Sequence, residues 1–455
     1  MIQKKLLMTF LSIAITSGCA TGVSKKASEE SVNDYQNGLY TQAAQNLEQN
    51  LGLINKETGA MLPIEAKKSF VIAHLDVGEN WRMAGNSARS LAHFDAVELL
   101  LKSEDTEGVV TKTGEAFGSA FINDNVRSYE PSPSERIVTN YYKAMSYWGI
   151  GDLDNARVEF NRAQDRARIA IEAYAKDIEK AKKEAEESKA NVSEPTQELL
   201  NEVNDWEVFD DFLNPGVTYA NALFLAQSSY KDFSKARDFL IRVRSMIGPS
   251  NVIDSDIEAL ENGTFGDKKY VWILMETGMS PYLDDRRLDI PFPIDDKLLV
   301  ASIALPKLVE RSQNLSVNHI MFNSKPIQSD LIGDMNKIMQ TEFKARWPSV
   351  VTRAAIGAVT KLGIQNEMNK KGGYAGLLTA LASAAITQAD TRYWQLMPGY
   401  WSLARYEINE GDELLIPYGN NGAFEAVNVN QDESSMIYLK QPTAMAKPLI
   451  KVYKL

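Results

Sequence analysis

Side chains able to do chemistry are scarce in this chain. Three histidines, His74, His93 and His319, are the only imidazoles in 455 residues. None stands at a zinc-ligand spacing from other ligating residues, so all three read as structural. Asp284 and Asp285, beside Arg286 and Arg287, could supply an acid and a base. With 60 acidic residues, adjacency decides nothing, and pairing with the neighbouring arginines is the plainer reading. The run "DLDNAR" from Asp152 opens like a calcium loop. It lacks the central Gly and distal Glu, which leaves helix capping as its role. No nucleophile elbow, dinucleotide turn or phosphate loop occurs. The expectation is no catalytic residue, no metal and no cofactor, hence no enzyme.

The one cysteine, Cys19, is different. It follows a basic start, "MIQKK", a ten-residue apolar run, "LLMTFLSIAI", and small residues, "TSG". The apolar run is too short to span a bilayer. The arrangement resembles a bacterial lipoprotein signal peptide with its lipobox, with Thr16 where that family usually has Leu. The resemblance implies cleavage after residue 18. It also implies acyl chains of the palmitate kind on the sulfur and amine of Cys19. Ala20 in the next position implies export to the outer membrane. Residues 19–30, "CATGVSKKASEE", are small and polar and read as a tether.

The rest has ordinary globular composition, with 44% hydrophobic and 24% charged residues. The net charge of −11 repels phosphate backbones and argues against nucleic acid as partner. No later segment is apolar enough in sequence to suggest a membrane span.

The elements that must position any surface begin with a repeat. Ala144, Tyr147, Gly151, Ala156, Phe160 and Ala163 are spaced 3, 4, 5, 4 and 3 apart. Gly78, Trp81, Gly85, Ser90, Phe94 and Val97 repeat those spacings. Steps of 3 and 4 place each set on one helical face, and the step of 5 crosses a turn. Weaker copies hold Gly38, Ala43 and Leu47, and Phe224, Ala236, Leu240 and Val243, the last with Lys231 where Gly is usual. The pattern resembles the tetratricopeptide repeat, which implies antiparallel helix pairs over residues 31–250. A charged helical hairpin, 164–205, is inserted, with Ser193 and Pro195 opening its second arm. A solvated face without a partner is the plainer reading of that hairpin.

The resemblance implies a concave groove lined by the first helix of each pair. Register assigns Tyr141, Met145 and Trp148 to it, with Leu75, Glu79 and Arg82 in one neighbouring repeat and Asn221 and Leu225 in another. Aromatics and methionine exposed there would suit a protein partner. The alternative is that Trp148 packs on the adjoining repeat.

From residue 267 to 455 the period shifts toward 2. "YVWILMETG", "KLLVASIALPKL", "VNHIMFN", "YWSLARYEI", "DELLIPY", "FEAVNV" and "SMIYLKQP" read as strands, with "DDRRLDIPFPIDD" a proline-rich loop or edge. A helical block between them starts at a Ser329 N-cap, and "AGLLTALASAAIT" (375–387) is a buried helix or a membrane or oligomer contact. The fold class expected is a mainly α tetratricopeptide-like solenoid followed by an α+β domain, each folding independently when cut near Asn262.

The whole resembles outer-membrane lipoproteins of Gram-negative bacteria that pair such helices with a C-terminal domain carrying a motif like "QADTRYWQLMPGYWSLARYEI". It implies a periplasm-facing, lipid-anchored scaffold whose partners are envelope or periplasmic proteins, linked by analogy to peptidoglycan synthesis. The competing expectation is an envelope hydrolase or glycan-binding protein with its site in the α+β domain.

Overall fold

A computed structural model describes residues 23–55, 57–106, 129–187, 194–205, 214–227, 231–294, 297–311, 317–370 and 389–455. The segment expected to be a signal, Cys19 and the apolar run 375–387 lie outside the described residues. Helices α1 (Lys25–Gln36) and α2 (Tyr40–Asn50) form the first of four helical pairs. The others are α3 (Val71–Met83) with α4 (Ser87–Thr106), α5 (Pro133–Gly149) with α6 (Leu153–Glu187), and α8 (Pro215–Gln227) with α9 (Phe233–Ile247). Helix α7 (Glu194–Asn201) precedes the last pair and α10 (Asn251–Glu261) follows it.

The sequence spacings map onto these pairs. Gly38, Gly85 and Gly151 each turn the chain between two helices with φ of 75, 80 and 83°. Lys231, the non-glycine copy, does the same at φ 43°, a conformation that disfavours a side chain. Ala43, Ser90, Ala156 and Ala236 are fully buried behind those turns. At Gly78 a Cβ would sit 2.7 Å from the Phe94 ring, so the α3–α4 crossing requires its absence. The tether ends sooner than expected. Val23 is already buried and α1 starts at Lys25 with Ser24 as its N-cap.

The C-terminal part holds a five-stranded sheet in the order β11 (Leu449–Lys454), β10 (Ser435–Gln441), β1 (Tyr270–Thr277), β7 (Tyr400–Glu407), β6 (Asp330–Asp334). Strands β1 and β10 run parallel, and the other neighbours are antiparallel. A second sheet orders β5 (Lys325–Pro326), β4 (Met321–Phe322), β8 (Glu413–Tyr418), β9 (Ala423–Asn428). Strands β2 (Tyr282–Ile294) and β3 (Lys297–Val309) form a separate hairpin, so the proline-rich stretch is an edge strand. Helix α11 (Met335–Lys370) continues through Pro348. Ser329 is not its cap, because Asp330–Asp334 pairs with β7 as strand β6.

The fold is therefore α+β, in three layers: helices, five-stranded sheet, four-stranded sheet. Period-2 alternation divides the middle layer's side chains. Val271, Ile273, Met275, Ile437 and Leu439 pack with Ile320, Leu414 and Ile416 of the far layer. Trp272, Leu274, Met436, Tyr438, Trp401 and Leu403 pack with the helices. That second cluster is one continuous core holding Tyr35, Leu75, Tyr141 and Phe224 together with Trp401 and Tyr453. The segments 31–250 and 267–455 thus share this cluster, beside smaller ones that each holds by itself. The contact is close: at Gly216, in α8, a Cβ would lie 2.4 Å from the Trp401 ring.

The inserted hairpin also has a partner. Trp347 of α11 donates its indole N–H to the Leu199 carbonyl at 2.6 Å, and Arg286 of β2 grips Glu202 with two bonds of 2.6 and 2.7 Å. Val203, Ile290, Ile303, Leu305, Trp347 and Val351 form a small core beneath these contacts.

Candidate functional site

The first helix of each pair turns one face toward the sheet, and there the expected groove residues are found. They do not line an open surface. Leu75, Tyr141, Met145, Trp148, Arg82 and Asn221 are all buried, none more than 6% exposed. The occupant is the chain's own five-stranded sheet. Trp148 lies 4.6 Å, centroid to centroid, from Tyr453 of the final strand and 5.2 Å from Phe224 of α8. The Tyr453 hydroxyl donates to the Met145 carbonyl at 3.1 Å. Tyr141 packs 5.4 Å from Tyr142 and 6.4 Å from Phe160. The partner-binding assignment of these six residues is corrected accordingly. An apolar stripe facing a concave wall must be covered, and an intramolecular cover has the advantage of a tethered concentration.

Between helices and sheet, among the described residues, one cluster joins four buried charges, two of each sign: Glu79 and Arg82 from α3, Glu276 from β1, Lys440 from β10. Arg82 donates Nε to Glu79 Oε2 at 2.7 Å and Nη2 to Oε1 at 2.9 Å. Its Nη1 reaches the Tyr438 hydroxyl at 3.0 Å, and its guanidinium stacks 3.7 Å from the Tyr142 ring centre. Lys440 Nζ donates to Glu79 Oε1 at 2.8 Å, the Tyr142 hydroxyl at 2.6 Å and the Leu396 carbonyl at 2.9 Å. All three ammonium protons thus have acceptors. Tyr142 passes its proton toward Glu276 Oε2 at 2.9 Å, and Trp401 donates to Oε1 at 3.2 Å. Burial alone would raise the Glu79 carboxyl, but Arg82 and Lys440 outweigh it and hold Glu79 below its ordinary range. Burial pushes Lys440 down despite the opposing pull of Glu79.

A second polar cluster sits where α5 begins. Ser132 and Glu135 form a capping box, and Glu135 also accepts from the Trp394 amide at 2.6 Å. Glu342 of α11 accepts the Ser134 amide at 2.6 Å and its hydroxyl at 3.0 Å, while Ser134 Oγ lies 2.7 Å from the Tyr393 hydroxyl. Burial pushes Glu342 up to about 7, and burial with Glu135 and Glu79 nearby pushes Asp76 up to about 8. By accepting the Ser134 amide and hydroxyl at the start of α5, Glu342 fastens α11 to α5.

Two of the histidines belong to a third cluster. His74 Nδ1 lies 2.9 Å from His93 Nδ1, and His93 Nε2 lies 3.2 Å from Glu48 Oε1. Glu48 also receives Trp81 at 2.8 Å and Arg89 at 2.6 Å. Burial, then the neighbouring His93, lowers His74 to about 4. His319 Nε2 lies 3.0 Å from Gln441 Oε1.

Chemistry needs access as well as groups. The cavity beside Arg82, Met145, Tyr438 and Tyr453 holds about 10 Å³, scarcely one water. Ser134 and Glu342 are 3% and 4% exposed. A cleft of about 200 Å³ opens between α1 and Arg311 with Gln395. There Arg311 is already engaged by the Ser280 carbonyl at 2.8 Å and Gln395 at 2.7 Å. Asp285 and Arg287 pair with each other at 3.3 Å on the β2 hairpin, and Asp285 also accepts the Ala389 amide. Among the described residues no group of three or more His, Cys, Asp or Glu could hold a metal ion, and no helix is long and apolar enough to cross a membrane.

Glu276 and Lys440 went unnoticed in the sequence. Each interrupts an otherwise apolar strand, "YVWILMET" and "SMIYLKQ". A charge placed in phase with the aromatic face of a strand is the signal that marks them. Comparisons with family models, with curated proteins and with solved structures each find no match.

Proposed function

We propose that the protein is a lipid-anchored scaffold of the cell envelope, facing the periplasm from the outer membrane and binding envelope proteins without catalysis. One observation carries the reading. The only cysteine falls four residues before Val23, the first buried side chain among the described residues. Behind a short apolar run and small residues, that thiol stands where a lipoprotein signal would be cleaved and acylated. Acyl chains contribute about 0.8 kcal/mol per buried CH₂, so several of them anchor a soluble body firmly.

The helical pairs are read as a tetratricopeptide-like row. The four left-handed turns, the buried small residues behind them and the Gly78–Phe94 contact support that reading. The link to peptidoglycan synthesis rests on the resemblance alone. With the concave side filled, partner contact falls to the outer faces of the row and to the arm built from α7, β2, β3 and α11.

Cys19→Ser tests the anchor. The expected result is soluble periplasmic protein or an uncleaved precursor. Mature variant retained by membranes in wild-type amounts would refute it. In-cell crosslinking of the wild type, with partners read by mass spectrometry, tests the scaffold. Recovery of envelope proteins is expected, and recovery of none counts against it.

A further inference from the structure

The body starts so soon after Cys19 that it cannot hang far from an anchoring membrane. Four residues of chain, from Cys19 to Val23, span at most about 14 Å. Val23 is 4% exposed and belongs to a cluster with Ala44, Leu47, Leu51, Leu53 and Trp81. The surface that must face the lipid is therefore whatever surrounds this cluster.

A short hairpin grows out of it. Leu53, 4% exposed, accepts the Leu62 amide at 2.7 Å, and Ile54 pairs with Met61. Asn55 donates its amide to Ala60 at 2.8 Å, while its side chain accepts the Glu57 and Thr58 amides at 2.9 and 3.0 Å. Gly59 closes the turn with φ 68°. Backbone bonds thus hold the base of the hairpin, and the Asn55 side chain bonds the Glu57 and Thr58 amides near its tip. Its returning edge is nonetheless apolar and exposed: Ala60, Met61, Leu62 and Pro63 follow one another in sequence, with Met61 39% and Leu62 41% exposed.

We propose that this hairpin rests in the lipid surface, with Met61 and Leu62 seated among the headgroups and upper acyl chains next to the anchored Cys19. The inference rests on the lipid-anchor reading of Cys19. Depths of about 5–10 Å are what interfacial segments reach, and the short connection allows it. The exposed edge the hairpin offers, Ala60 to Pro63, is apolar. Lys25 and Lys26 stand 3.7 and 3.6 Å from Glu29 and Glu30, and Lys67 pairs with Glu65. Anionic lipid therefore gains little from those lysines. The contact would orient the helical row on the membrane.

The test uses the lipidated full chain in vesicles of phosphatidylethanolamine and phosphatidylglycerol. With Cys19 acylated, the chain offers no other thiol, so Leu62→Cys and Leu331→Cys can each be labelled with an environment-sensitive fluorophore. Leu331, 54% exposed on β6, lies beside α8 and α9 at the other end of the helical row. Both sites are exposed, so neither change burdens folding. The label at 62 should shift to the blue and lose most of its emission to a nitroxide-bearing lipid, while the label at 331 keeps its emission. Equal behaviour of the two labels overturns the proposal. So does a blue shift at 62 without nitroxide quenching, which would mean burial against protein. Mass spectrometry of the same sample separates the two failures. Absence of acyl chains on Cys19 removes the anchor reading and the hairpin proposal together. Acylated protein with an unquenched label removes the hairpin proposal alone.

Discussion

The five-stranded sheet presents two faces of opposite chemistry. Toward the four-stranded sheet it shows Val271, Ile273, Met275, Ile437 and Leu439, all aliphatic or thioether side chains. Toward the helices it shows Trp272, Glu276, Trp401, Tyr438 and Lys440. An aliphatic face tolerates many complementary surfaces of similar volume. A face with a buried carboxylate and a buried ammonium accepts one surface only, the one that pairs both. Glu79, Arg82 and Tyr142 are that surface. The difference teaches that the helices and sheet recognise each other by buried charge, and the two sheets mainly by volume, with Gln441 bonded to His319 and the Pro417 carbonyl as the polar exception.

The largest effect expected from this contrast concerns chain cutting. A C-terminal piece starting at Gly263 would carry the aromatic, charged face bare to water. It should not fold by itself, whereas co-expression with the N-terminal piece should recover a complex. Circular dichroism and size-exclusion chromatography check this. A monomeric C-terminal piece with a cooperative thermal transition would break the comparison, because the aliphatic side would then suffice.

A pair of substitutions, one per face, comes next. Lys440→Met leaves Glu79, Arg82 and Glu276 buried with one charge unmatched, which typically costs about 3–5 kcal/mol. Ile437→Val, on the neighbouring aliphatic face, should cost about 0.5–1.5 kcal/mol. Denaturant titration of both variants measures the ratio. Similar costs for the two would mean that the charges do not set the helix–sheet register.

The smallest effect is a pH slope from the helical layer. Burial moves Glu342 from its ordinary 4.5 to about 7. The native state then keeps a proton that the unfolded chain releases. Its stabilisation is complete below about pH 4.5 and is lost as pH rises toward about 7. Glu342→Gln should flatten the fall in melting temperature across that window, compared with wild type. An unchanged slope would sharpen the comparison differently, by leaving the pH dependence to Asp76 and Glu135.

Much of the fold was legible because local patterns carry it. The spacing Gly85–Ser90–Phe94 needed only helix geometry and a turn to be interpreted, and Gly85 does turn with φ 80°. Alternation in "YVWILMET" and "SMIYLKQ" marked β1 and β10. "YGNNG" joined β8 to β9 as its glycines suggest, with φ of 67 and 72° at Gly419 and Gly422. Ser329 failed as a cap because strand pairing with β7 overrode local helix propensity. The candidate surface was legible only by half. Register placed Glu79, Arg82 and Trp148 on the correct side of the helices, yet nothing local said what covers them.

By itself, then, the sequence determined periodicity, turns and the isolated cysteine, since each depends on residues close along the chain. The tertiary structure alone decided that Trp148 meets Tyr453 and that Lys440 meets Glu79, 361 residues away. Such pairs depend on which distant face offers the matching shape and charge. A buried ammonium tolerates only a partner that satisfies all its protons, and that condition cannot be read from one strand.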